Sequence, residues 1–97
     1  MRKEYFIKFS LGQTVVTRGV NSLITEDPDL AKFVYLSLNR HSQGDWGDLC
    51  EEDRKENEFS LKNGFRLLSS YKYGDVKICI ITEADRSATT VLFPHEY

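Results

Sequence analysis

Apolar residues recur along this chain with two different periods, and the changes of period mark its elements. Val20, Leu23 and Ile24 have helical spacing after Gly19 and predict a single helical turn. Beyond Asp27-Pro28, Leu30, Phe33, Val34, Ser37 and His41 fall in one stripe at 3.6-residue periodicity, with Leu38 at its edge. Asp27 can accept from the free N–H groups of a first turn. Pro28 suits the first helical position because its missing N–H would have no intrahelical partner there. The pattern predicts a helix over residues 28–41 with His41 at the end of its buried stripe, and Gly44 is available to stop it.

A second helix is predicted to start within Gly44-Asp45-Trp46-Gly47-Asp48, capped by Asp45 or Asp48, and to run to about Asn63 before Gly64. At 100° per residue, Trp46, Leu49, Cys50, Asp53, Asn57, Ser60, Leu61 and Gly64 share one face, whereas Glu51, Arg54, Lys55 and Glu58 point away. Asp53 and Asn57 interrupt that apolar stripe one turn apart. A buried carboxylate without partners is costly, so an inward-facing Asp53 requires a cation, backbone donors or water.

Elsewhere the pattern alternates. Residues 5–9 and 13–17 carry β-branched and aromatic residues around Ser10-Leu11-Gly12 and predict a short strand or hairpin. Residues 66–73 and 76–83 flank Gly74-Asp75, a pair suited to a two-residue hairpin loop. That loop sets Tyr73 against Val76, Tyr71 against Ile78, Ser69 against Ile80 and Leu67 against Thr82 on one face. Leu68 meets Ile81, and Arg66 meets Glu83, on the other. It also sets Lys72 opposite Lys77, an unfavourable pair that a longer loop would avoid by shifting the register. A third strand is predicted over residues 87–93, ending at Pro94. The expected architecture is a single α+β domain, with two main helices packed on a three- to five-stranded, mainly antiparallel sheet.

Composition narrows the function classes. The 97 residues suffice for one hydrophobic core but not for two domains or a large cofactor-binding sheet. Thirteen basic and fifteen acidic residues give a net charge of −2, which does not favour a nucleic-acid binder relying on gross positive charge. The total hides an asymmetry: residues 45–58 hold seven acids (Asp45, Asp48, Glu51, Glu52, Asp53, Glu56, Glu58) against Arg54 and Lys55. Such a block is either a solvated helix face or a docking surface for a basic partner. Cys50 and Cys79 lie far apart with no second ligand pair beside them, and both are expected as small core residues. The chain shows no apolar stretch long enough for a signal peptide or a membrane span, so a cytoplasmic location and no membrane partner are expected.

Candidate chemistry concentrates in three places. The segment Glu83-Ala84-Asp85-Arg86-Ser87, followed by Thr89 and Thr90, gathers acids, a guanidinium and hydroxyls. Arg86 can clamp an anionic group that Ser87 or Thr89 positions; alternatively the same residues close a turn through local Asp and Ser hydrogen bonds and an Arg–Asp pair. His41 can serve as a general acid or base, or as a cationic cap on the helix C-terminus. Trp46, between Asp45 and Asp48, can be a stacking platform or a core anchor. There is no P-loop, GxGxxG, HExxH, GxSxG or EF-hand loop, so no cofactor is implied. A carboxylate set of Asp45, Asp48 and Asp53 has no recognised metal-loop spacing, and no metal is expected.

Several of these segments, taken together, resemble a known family. They are Arg40-His41 with Gly44-Asp45-Trp46-Gly47-Asp48, Glu52-Asp53 with Asn57, Gly64-Phe65-Arg66-Leu67-Leu68-Ser69 with Tyr71, Ile81-Thr82-Glu83-Ala84-Asp85-Arg86-Ser87 with Thr89-Thr90, and Leu92 with Pro94 and Glu96-Tyr97. The chain resembles small bacterial proteins carried on plasmids and other mobile elements, whose function is undefined. The resemblance spans roughly residues 12–97; Cys79 stands where the family is expected to have an aromatic residue. It implies a mobile-element setting and supplies no reaction. Some such proteins are labelled plasmid-related or type I restriction methylase subunits. A methyltransferase needs a large α/β sheet with a glycine loop, for which this chain has neither the length nor the residues.

Two functions from different classes follow. The first is a non-enzymatic binding, regulatory or counter-defence module whose acidic block meets another protein. The second is a small metal-independent ribonuclease in which His41 is the acid or base, Arg86 stabilises phosphorane charge, and Ser87 or Thr89 orients the phosphate. Geometry separates them. Convergence of His41, Asp53 and Asn57 on Arg66, Glu83 and Arg86 in an open cleft marks a site; a closed network under Trp46 marks structural bonding, the outcome expected here. Asp45, Asp48 and Asp85 complete the candidate binding set.

Overall fold

The structure is a computed structural model and describes residues 7–97. It has strand β1 (Gln13–Val16), helices α1 (Arg18–Glu26), α2 (Pro28–Ser42) and α3 (Glu51–Asn63), and strands β2 (Leu67–Tyr73), β3 (Val76–Thr82) and β4 (Ala88–Leu92). A 3₁₀ turn, Pro94–Glu96, follows β4. The sheet order is β1-β4-β3-β2. β4 and β2 both pair antiparallel with β3, whereas β1 pairs parallel with β4. The α+β expectation holds, in a four-stranded mixed sheet with three helices.

Local signals set the helix starts. Thr17 accepts from Val20 N–H at 3.3 Å, and this cap lets α1 extend over nine residues instead of the single expected turn. Asp27 accepts from the N–H groups of Asp29 (3.0 Å) and Leu30 (3.4 Å), with Pro28 following it, as its sequence position predicts. The hairpin register is the one implied by a Gly74-Asp75 loop, including Lys72 opposite Lys77. Both lysines are exposed, where water and salt screen their repulsion, so no register shift is needed to separate them. The ladder stops at Leu67–Thr82, and Arg66 therefore does not pair with Glu83 but donates to the Tyr97 hydroxyl at 2.9 Å.

Alternation along β2, β3 and β4 sends one set of side chains to the helix-covered face. There Tyr71, Ile78, Ile80 and Val91 pack with Val20 of α1 and Val34 of α2, all at most 5% exposed. Each such aliphatic side chain contributes roughly 1.5–3 kcal/mol on burial. A second cluster joins Phe9, Trp46 and Leu67, with Leu49 and Leu61 against it.

Other expectations are corrected. The third helix begins at Glu51, because residues 46–48 are drawn onto the outer edge of β2: Asp48 N–H donates to Ser70 C=O at 2.7 Å, and Ser70 N–H donates to Trp46 C=O at 3.3 Å. Neither Asp45 nor Asp48 caps that helix; Cys50 occupies the N-cap position without a side-chain bond and is exposed, not a core residue. Asp53 is exposed as well, since the first turn of α3 runs clear of the sheet and only Asn57, Ser60 and Leu61 turn inward. Finally, of the short strand or hairpin expected around Ser10-Leu11-Gly12, the short strand is present as β1 but residues 7–12 have no strand structure to pair with it, and Tyr5 and Phe6 lie outside the described residues.

Candidate functional site

His41 ends the buried stripe of α2 and is fully buried. Its Nδ1 lies 2.5 Å from Ser69 Oγ on β2, and its Nε2 lies 2.8 Å from Thr82 Oγ1 on β3. Thr82 Oγ1 lies 2.7 Å from Thr89 Oγ1 on β4, which donates to the Leu11 carbonyl at 2.7 Å. That carbonyl can only accept, so it fixes every proton in the chain. Thr89 donates to Leu11, Thr82 donates to Thr89, and His41 must donate from Nε2 to Thr82. Nδ1 is then the acceptor of the Ser69 hydroxyl. The imidazole is thus a neutral Nε2–H tautomer that joins α2 to three strands.

Two aromatic rings close this chain from outside. Phe9 meets the imidazole edge-on at 5.2 Å and Trp46 at 5.7 Å, and the two rings stack at 6.1 Å. The Trp46 indole donates to Glu58 of α3 at 2.6 Å, so Trp46 is a core anchor rather than an open stacking platform. Burial, with the Arg86 charge nearby, pushes the His41 pKa down to about 3. His41 therefore caps no carbonyls as a cation, contrary to one expectation. Beside it, Tyr71 donates to the Asp45 carbonyl at 2.6 Å, and burial raises its phenol well above its ordinary range. Arg40 holds the Asp45 carboxylate at 2.7 and 3.1 Å and lies over the Tyr71 ring. The Arg40 hydrogen bond keeps the Asp45 carboxyl below the usual carboxylate range.

Arg86 turns inward. Its φ of 62° costs about 1 kcal/mol for a residue with a Cβ. Its guanidinium donates to the carbonyls of Phe65 (2.7 Å), Glu83 (3.0 Å), Ala84 (3.1 Å) and Ser60 (3.3 Å), tying the β3–β4 turn to α3 and to the start of β2. Asp85 accepts from Ser87 N–H at 3.0 Å, and its carboxyl is lowered by hydrogen bonds from the Ser87 hydroxyl and N–H. The local Asp–Ser closure is present, but no Arg86–Asp85 pair forms among the described residues. Glu83, Asp85 and Ser87 are exposed, while Thr89 is buried inside the His41 chain.

The candidate residues thus divide into separate groups. Asp53, Asn57 and Arg66 do share an open groove of about 250 Å³, walled by Leu49 and Tyr97. His41 and Arg86 are not in it. Asn57 is bonded at the groove floor, its Oδ1 accepting from Leu68 N–H at 3.1 Å and its Nδ2 donating to Leu68 C=O. Sequence reasoning missed Ser69, Thr82, Phe9 and Glu58 as partners of His41 and Trp46. A signal existed for the first two: Ser69 and Thr82 both interrupt the apolar face of the hairpin. Among the described residues, no group of three or more His, Cys, Asp or Glu is placed to hold a metal ion. No helix among them is long and apolar enough to cross a membrane. Comparison with protein-family models, with curated proteins and with solved structures gives no match.

Proposed function

We propose that the chain is a protein-binding or regulatory module, non-enzymatic and cytoplasmic, which docks on a basic surface through α3. The observation that carries this reading is the exposed row of Glu51, Glu52, Asp53 and Glu56 on that helix. Lys55 pairs loosely with Glu51 at 3.6 Å, and Arg54 is folded back onto the carbonyls of Leu49 (2.9 Å) and Gly47 (2.6 Å). The row therefore presents acids outward with little local compensation, which suits electrostatic docking. The resemblance to plasmid-borne proteins supports a mobile-element setting, and a counter-defence target is one partner of this kind. His41 and Arg86 are occupied in holding elements together, which favours binding over hydrolysis of RNA.

The test is capture of a partner from host-cell lysate by the wild-type protein and by a Glu51→Gln, Glu52→Gln, Glu56→Gln variant. Glu58 is left intact because it holds Trp46. Retention that weakens with added salt and is lost in the variant, at unchanged thermal stability, agrees with the reading. Equal retention by both proteins contradicts it.

A further inference from the structure

Residues 7–12 form a strap without regular secondary structure across the end of α2. Lys8 N–H donates to Ser42 C=O at 2.8 Å, and Leu11 C=O receives the Thr89 hydroxyl. Between these ties Phe9 lies over His41 and stacks on Trp46, with the Arg86 guanidinium 5.7 Å from its ring centre. Strap and helix enclose an open cavity of about 590 Å³, reaching Asn39 and Ser42. Of the two rings that shield the imidazole, Phe9 is thus carried by a segment without regular secondary structure and has open space beside it.

We propose that residues 7–12 are an acid-opened lid: a proton on His41 drives Phe9 off Trp46 and admits water to the Ser69–His41–Thr82–Thr89 chain, while the helices and sheet persist. The proton arrives from solvent at Nδ1, and the Ser69 hydroxyl turns from donor to acceptor. Among the described residues, no carboxylate is hydrogen-bonded to the resulting cation. β2 offers it the Ser69 hydroxyl and β3 offers Thr82, behind which stands Thr89 of β4, while the Tyr71 phenol is bonded to the Asp45 carbonyl. Arg40 and Asp45 are bonded to each other, and Glu58 of α3 is bonded to the indole. Lys8 of the strap lies against Gly44, and Arg86 adds a second positive charge that its four carbonyl bonds prevent from retreating. Water reaching the imidazole is the remaining way to solvate the charge.

Linkage sets the size of the effect. An open His41 has its ordinary value of 6.5 and the closed one about 3, so at about pH 4.5 the open-to-closed ratio is about a hundredfold above its neutral value. Trp46 is the only tryptophan, and its emission reads the loss of Phe9 directly. Fluorescence and far-UV circular dichroism are followed together from about pH 8 to about pH 4. The wild type is expected to show a reversible red shift and stronger acrylamide quenching at constant dichroism. In His41→Gln, whose amide offers a donor and an acceptor without a titrating proton, the shift should vanish; in Phe9→Ala its midpoint should move up towards 6.5. A Trp46 signal that stays flat until the dichroism collapses overturns the lid, as does an unchanged transition in His41→Gln. Should His41→Gln not fold, ring-nitrogen NMR of wild-type His41 replaces it: a titration midpoint matching that of Trp46 supports the lid, and a separate midpoint overturns it.

Discussion

Asn57 stands in for a neighbouring strand beside Leu68, accepting from its N–H at 3.1 Å and donating to its C=O. β2 is an edge of the sheet, and an edge exposes unpaired backbone groups to aggregation. Here one carboxamide covers Leu68, and the backbone of Trp46 and Asp48 covers Ser70. The polar interruption of the α3 stripe is thus a device for docking that helix on the strand.

Replacing Asn57 by Ala leaves both groups of Leu68 without their partner in a half-buried position, and should cost about 2–4 kcal/mol. Asp53→Ala, one turn away on an exposed site, should fall within about 0.5 kcal/mol of the wild type. Denaturant unfolding of the two variants measures the contrast. Equal losses would return Asp53 to the interior.

Gly47 has a φ of 72°, and a Cβ built there would lie 1.9 Å from the Ser70 carbonyl oxygen. Gly47→Ala must push residues 46–48 off β2 and should destabilise by about 3 kcal/mol or more. Gly74, with a φ of 59° and open space around it, should lose only about 1 kcal/mol on the same change. Melting temperatures of both variants decide the order.

Stability should depend on pH through His41. Its folded pKa is depressed to about 3 from an ordinary 6.5, so between these values the unfolded chain binds the proton and the closed fold does not. Stability is then complete above about pH 6.5 and falls as pH drops below it, by up to about 1.4 kcal/mol per pH unit. The slope ends where the lid opens, because the open fold binds the same proton. The Arg40–Asp45 pair adds loss of the same sign at lower pH, reduced by its exposure. Denaturation midpoints of the wild type and His41→Gln across this range should differ in slope.

Local chemistry made much of this fold legible. Asp27-Pro28 starts α2, and Gly74-Asp75 fixes a register that even two facing lysines do not displace. The parallel pairing of β1 with β4 joins residues more than 70 positions apart and leaves no local pattern to read. The start of α3 is hidden for a related reason: capture of residues 46–48 by Ser70 is a tertiary event, and it moves the helix start past Asp48 and leaves Asp53 in an exposed first turn. His41 stood out in the sequence. Its role depends on Ser69, Thr82 and Phe9, which come from three other parts of the chain.

Nitrogen-15 NMR of the His41 ring at neutral pH tests the closed chain most directly. The expected spectrum has Nε2 protonated and Nδ1 bare, with slow exchange of the Nε2 proton behind Phe9 and Trp46. A charged ring, an Nδ1–H tautomer or a rapidly exchanging proton would contradict the network and return His41 to the list of accessible acids and bases.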